Sequence, residues 1–198
     1  MKFVLATQNP KKLKEMSAIL GELGVEVVSE ADLGVKIEVE ETGETFAENS
    51  LLKAKAVMEA TKLPAIADDS GLCVDALNGG PGVYSARFGG EGLDDTGRYR
   101  LLLQMMHGQA DRRAHFHTTI TCAFPNGDVL QDHGEVEGTI AFAPMGENGF
   151  GYDPVFFVPD KRKTFAQLSA EEKAEISHRG KALRAFKETL KNYLAEHQ

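Results

Sequence analysis

The chain has 198 residues, with 22 lysines and arginines against 30 aspartates and glutamates, for a formal net charge of −8. That length fits a single domain, and the acidic balance argues against a nucleic-acid polymer as partner, because such binding needs a broad basic face. Cys73 and Cys122 form no C-x-x-C pair and no apolar run approaches the ~18 residues of a membrane-spanning helix, so the expectation is a cytoplasmic protein with no membrane partner.

Residues 2–6 read as a short buried strand. Asn9-Pro10 reads as an N-cap followed by proline at the first helical position, and Leu13, Met16, Leu20 and Leu23 follow at helical spacing up to Gly24. Residues 25–29 and 35–39 read as the second and third strands. Thr45-x-x-Glu48 is a capping box opening a helix to about Lys62, with Leu52, Ala56 and Glu59 on successive turns. Ala65-Ile66-Ala67 is a short apolar strand that ends in Asp68-Asp69-Ser70-Gly71, a place where open α/β sheets tend to bind ligands.

Residues 78–82 form a loop and 94–107 a helix. Residues 113–124 alternate, placing Ala114, Phe116, Thr118, Ile120, Cys122 and Phe124 on one face. Pro125-Asn126-Gly127-Asp128 turns the chain into a partner strand over 129–137. Residues 155–158 make a further strand. Ser169-x-x-Glu172 caps a short helix, and a last helix starts near Ser177-His178 with Leu183, Phe186 and Leu190 inward. Early alternation of strands and helices around a central hairpin predicts an α/β fold with a mixed central sheet flanked by helices.

Five constellations can carry chemistry. Thr7-Gln8-Asn9-Pro10-Lys11-Lys12 sits at a strand-to-helix junction, where free backbone amides and a lysine suit an anion; it reads equally as a capped helix with exposed lysines. Glu38, Glu40 and Glu41 could supply an oxygen ligand for a hard cation, or form a solvated edge. Asp68-Asp69 leaves an apolar strand, which is costly unless a cation, a base role or hydrogen bonds compensate. Gly149-Phe150-Gly151-Tyr152-Asp153 lets backbone approach a ligand and offers an aromatic for stacking, or makes a tight turn. Ser177-His178-Arg179, with Lys173 one turn earlier, offers donors for a phosphate or a base carbonyl, or caps a surface helix.

Taken in order, T-x-N-x-x-K, E-E-T-G-x-T-F-x-E-N, A-D-D-S-G-L, G-x-P-G-V-Y-S-A-R-F, G-F-G-Y-D-P-x-F and E-E-K-x-x-I-S-H-R-G-x-A-L resemble the inosine/xanthosine triphosphate pyrophosphatase family, from Thr7 to Leu183. The resemblance implies one catalytic domain over 1–198, with two lobes and an active-site cleft between them. It implies hydrolysis of ITP, dITP and XTP to the monophosphate and pyrophosphate, a house-cleaning activity on the nucleotide pool. By resemblance, Thr7, Gln8, Asn9, Pro10, Lys11, Lys12 and Lys53 hold the triphosphate. Asp69 is the catalytic base. Glu40 and Asp69 hold Mg²⁺, with Glu41 and Asp68 as close alternates, and Ser70 touches substrate. Phe150, Gly151, Tyr152 and Asp153 form the base and sugar site, completed by Lys173, His178 and Arg179. A homodimer is also implied.

Donors from His178 or Arg179 would pair with the 6-oxo group of inosine or xanthosine and leave the 6-amino group of adenine unpaired. A pyrophosphatase for pyrimidine triphosphates, a non-catalytic nucleotide sensor and a nucleic-acid-binding module are the competing readings. The His-Arg and Phe-Gly-Tyr-Asp elements, the Glu40, Asp69 and Lys53 set, and the acidic balance weigh against them in turn.

Overall fold

The computed structural model describes residues 1–198. The strands are β1 (Lys2–Leu5), β2 (Glu26–Ser29), β3 (Ala65–Val74), β4 (Gly80–Pro81), β5 (Arg113–Ala123), β6 (Val129–Ile140), β7 (Phe156–Val158) and β8 (Lys163–Thr164). The helices are α1 (Pro10–Gly21), α2 (Phe46–Thr61), α3 (Asp95–Met105), α4 (Ala170–Ile176) and α5 (His178–Glu196). The sheet order is β2-β1-β3-β5-β6-β7-β8, with β4 beside β3. The β1–β2 and β1–β3 pairs are parallel, whereas β3–β4, β6–β7 and β7–β8 are antiparallel, so the sheet is mixed as expected.

The chain divides into two compact units. The first holds Met1–Asp69, Thr118–Gly134 and Ala182–Gln198; the second holds Ser70–His117 and Glu135–Lys181. In the first unit, strand alternation sorts the core onto two faces. Phe3, Leu5 and Ile66 pack with Met16 and Leu20 of α1 and with Leu183, Phe186 and Leu190 of α5. Val4, Ala6, Ala65 and Ala67 pack with Ala54 and Val57 of α2. Helices α1 and α2 therefore cover opposite faces of β1 and β3. In the second unit, Phe116, Phe156 and Phe165 form an aromatic core with Leu102 of α3 and with Met106 at its C-terminal cap.

The helix starts follow their caps. Asn9 accepts from the Lys11 and Lys12 amides, Thr45 from the Glu48 amide, Asp94 from the Gly97 amide and Ser169 from the Glu172 amide. Two expectations differ, the strand at 35–39 and the end of β3, and polar groups set the buried face of α2. Residues 35–39 form no strand, because Glu30 takes their amides: its carbonyl accepts from Val35 and its carboxylate from Ile37. Helix α2 turns Asn49, Ser50, Ala54 and Val57 inward and leaves Leu52 exposed. Polar anchors set that rotation: Asn49 bonds to Gly43, and the Ser50 hydroxyl lies 2.7 Å from that of Thr121. Strand β3 does not stop at Asp68 but runs on to Val74, carrying both acids in its interior.

Candidate active site

The acid–lysine cluster of the first unit follows from the two-faced packing. Asp68 shares the α1 face with Ile66, and Lys12 on the first turn of α1 reaches it at 2.8 Å. Asp69 shares the α2 face with Ala67, and Lys53 of α2 stands 3.8 Å from its Oδ1. Lys53 also stands 3.4 Å from Glu41. Both aspartates are buried, at 2% and 7% exposure. Beside Asp68 is a cavity of about 440 Å³ lined also by Thr7, Asn9, Lys12, Glu41 and Lys53, among others; Asp69 sits behind this lining, against Lys53.

Three acids against two lysines leave the cluster short of positive charge. Burial pushes the Asp69 carboxyl up to about 6, Glu41 and Asp68 push the same way, and Lys53 and Lys12 only partly oppose them. Burial pulls Lys53 down, yet the charges of Asp68, Asp69 and Glu41 outweigh it and hold its ammonium above the ordinary lysine range. The buried Oδ2 of Asp69 accepts no hydrogen bond. An orphan buried carboxylate oxygen is rare in a folded protein and calls for a partner: a proton, a cation or a water.

The structure brings Thr7, Asn9, Lys12 and Lys53 together. Thr7 Oγ1 accepts the Asn9 amide at 3.2 Å, which shapes the turn into α1. Gln8 is exposed and also lines the cavity, Pro10 and Lys11 are exposed on the same turn outside it, and Ser70 is the half-buried residue that follows Asp69 along β3. Glu40 is the exception. It is exposed and does not line the cavity, and Glu41 is the glutamate beside Lys53. A tight turn, in which the Thr42 amide donates to the Glu40 carbonyl, separates the directions of the two glutamates. In this structure the glutamate whose charge acts on Lys53 and Asp69 is Glu41. Sequence reasoning assigned no role to Asn49, which is fully buried and bonded to Gly43. Its signal was the asparagine closing E-E-T-G-x-T-F-x-E-N.

The second unit gathers the other predicted residues around Asp153. This carboxylate, 3% exposed, accepts from Lys173 at 2.6 Å and from the Phe150 amide at 3.1 Å. Burial pushes Asp153 up, and Lys173 pulls it back. Gly149 is obligatory, because a Cβ there would meet Asp153 Oδ2 at 2.0 Å. The Lys173 ammonium lies 4.9 Å and the Arg179 guanidinium 5.6 Å from the centre of the half-buried Phe150 ring. His178 stacks on Phe116 at 4.7 Å, and Ser177 caps α5 beneath it by accepting the Gly180 amide. The Gly151 amide donates to Asp95 at 2.9 Å. Tyr152 departs from its expected place in the base site: it is buried, with its hydroxyl donating to the Ser85 carbonyl at 2.6 Å. Asp153 likewise works within the protein, as the clamp of the 149–153 turn.

Known proteins carry the same architecture. A Ham1 protein from Staphylococcus aureus superposes with a TM-score of 0.91 at 42% identity, covering 98% of this chain and 100% of that one. A Mycobacterium abscessus structure described as a nucleoside-triphosphatase and dITP/XTP pyrophosphatase gives 0.80 at 45% identity, covering 94% and 98%. A dITP/XTP pyrophosphatase of Thermus thermophilus is 51% identical over 193 residues, 97% of this chain and 93% of its own. That of Escherichia coli K12 is 47% identical over 195 residues, 96% and 98% of the two chains. Residues 3–189 match the Ham1 family. With that span covered and relatives about half identical along nearly their whole lengths, this chain belongs to the Ham1 family.

Proposed function

We propose that the chain hydrolyses the non-canonical purine nucleoside triphosphates ITP, dITP and XTP to the monophosphate and pyrophosphate. The observation that carries this reading is the convergence of Lys12 and Lys53, from opposite sides of the sheet, on adjacent buried aspartates beside a cavity of about 440 Å³. Lysines so placed offset the charge of a triphosphate and of departing pyrophosphate, and such electrostatics is the main lever in phosphoryl transfer. At the start of α1 the expected backbone amides are already taken, by Thr7 Oγ1 and by Asn9, so the Thr7 hydroxyl and the Asn9 side-chain amide are the donors it adds.

Asp69 serves as the base. In the metal-free chain its carboxyl is held near 6 by burial, so it is ionised at neutral pH and available to a cation or to the proton of a water. That water attacks the α-phosphorus, the bond to the α,β-bridging oxygen breaks, and pyrophosphate leaves with the bond's electron pair. Mg²⁺ suits the donors present. They are hard oxygens, Asp69 Oδ2 is unpartnered, and no trio of acid, histidine or cysteine side chains forms a ready-made cage. Mg²⁺ is typically held by one or two carboxylates plus phosphates and waters. Asp69 and the glutamate loop would hold it, and it would supply charge neutralisation at the phosphates.

Phe150, Lys173, His178 and Arg179 form the nucleobase-recognising group in this reading, with His178 or Arg179 donating to the 6-oxo oxygen. We assign the activity to the cytoplasm and to a homodimer on the same footing. Pyrophosphate release across ITP, XTP, dITP, GTP, ATP and dTTP tests the assignment. The first three should be turned over far faster than the rest, and Arg179→Ala should erode the preference for ITP over ATP. Equal rates on ATP and ITP would overturn it.

A further inference from the structure

Glu41 reaches the cluster from a loop with no place in the sheet, so something must hold that loop. The start of α2 does so through a short-range network. Thr45 Oγ1 accepts the Glu48 amide at 3.1 Å, and Glu48 Oε2 accepts the Glu44 amide at 2.7 Å. One residue further on, Asn49 Oδ1 accepts the Gly43 amide at 2.8 Å, and Asn49 Nδ2 faces the Gly43 carbonyl at 3.5 Å. Asn49 is 0% exposed. Space at Gly43 is closed: a Cβ there would lie 2.7 Å from both Asn49 Oδ1 and Glu48 Cβ. The bonded pair is thus a close-fitting latch between helix and loop. Lys53 lies one helical turn beyond Asn49 on the same helix, so latch and lysine share one rigid frame.

We infer that Asn49 is a positioning residue of the active site, which fixes the Glu40–Gly43 turn so that its glutamate meets Lys53 and Asp69. The helix that carries the cationic partner thereby also sets the anionic one. This rests on the reading of the cluster as the triphosphate and metal site. A helix-stabilising role alone would not explain Asn49, because Thr45 already caps α2 and the Asn49 side chain bonds to a residue outside the helix.

The test uses Asn49→Ala and, as an independent route to the same latch, Gly43→Ala, which leaves Asn49 in place and crowds it from the loop side. Amide hydrogen exchange on the nucleotide-free chain should quicken by about tenfold or more over residues 40–44 while the α2 interior keeps its protection. The kcat for ITP should fall by about tenfold or more, and the Mg²⁺ concentration for half-maximal rate should rise. In a background carrying Glu40→Gln and Glu41→Gln, Asn49→Ala should cost less than about twofold further, since the residue it positions is already gone. Unchanged exchange over 40–44 in both variants overturns the inference, as does a full additional loss in the glutamine background. Absence of pyrophosphate release from the unaltered chain would instead sink the functional reading, and the exchange result would still judge the latch.

Discussion

The two units solve the burial of aspartate in opposite ways. At Asp153 one oxygen is doubly engaged: Lys173 and the Phe150 amide converge on Oδ2 and make a close ion pair. At Asp69 the contacts are looser: Lys53 stands at 3.8 Å, Glu41 and Asp68 repel, and Oδ2 has no donor. Both carboxylates are pushed upward by burial, so burial does not separate them. What separates them is completeness. The satisfied carboxylate fixes its turn and holds Lys173 in place, and the unsatisfied cluster is suited to a proton, a cation or a phosphate.

The sharpest way to break this contrast is Asp69→Asn. Turnover should fall by on the order of 10⁴-fold, as for loss of a general base. Stability of the nucleotide-free chain should move the other way. Folded Asp69 binds its proton below about pH 6, whereas the unfolded side chain does so only below about 3.8. The folded state therefore holds the extra proton across that window, and stability falls as pH rises through it and is flat above about 6. Asn should restore up to ~3 kcal/mol at pH 8 and nothing near pH 3, as thermal melts at the two pH values would reveal. A lower melting temperature for the variant at pH 8 would place Asp69 with Asp153 among the satisfied carboxylates.

Lys173→Met should do the reverse, destabilising by ~3–5 kcal/mol at neutral pH because Asp153 is left buried and unpaired. Denaturant titration measures it, and a loss under about 1 kcal/mol would deny that the pair is closed. Lys53→Met should cost on the order of 10²-fold in kcat/KM with a smaller stability change, since Asp69 can take up a proton instead. Ser50→Ala sets the lower end. It removes one hydroxyl contact to Thr121 that Gln131 also makes, so a loss of about 1 kcal/mol is expected in the same titration.

What was legible in the sequence was local. Asn9, Thr45, Asp94 and Ser169 act on amides within three residues, so the starts of α1 to α4 could be read in short windows. The site residues came as motifs, and Lys12, Lys53, Asp68 and Asp69 do meet. What was not legible depends on distant partners. Lys12 lies 56 positions from Asp68, so nothing near Asp68 shows that an ammonium makes a mid-strand aspartate tolerable. Residues 35–39 keep the alternating exposure of a strand, but a carboxylate at Glu30 replaces the neighbouring strand. The buried face of α2 could not be read from apolar spacing, because Asn49 and Ser50, polar and satisfied, lie inside while Leu52 is exposed.

The uninterrupted run of β3 has a consequence for how this gene can change length. Alternation assigns Asp68 to the α1 side and Asp69 to the α2 side, and the parallel register Val4↔Ala65 and Leu5↔Ile66 fixes the count leading to them. Deleting or inserting one residue between Ile66 and Asp68 would exchange the sides and hand each acid the wrong lysine. Length variation among functional variants should accordingly be confined to surface turns such as 125–128 and excluded from this segment, which serves as a reading frame written in backbone.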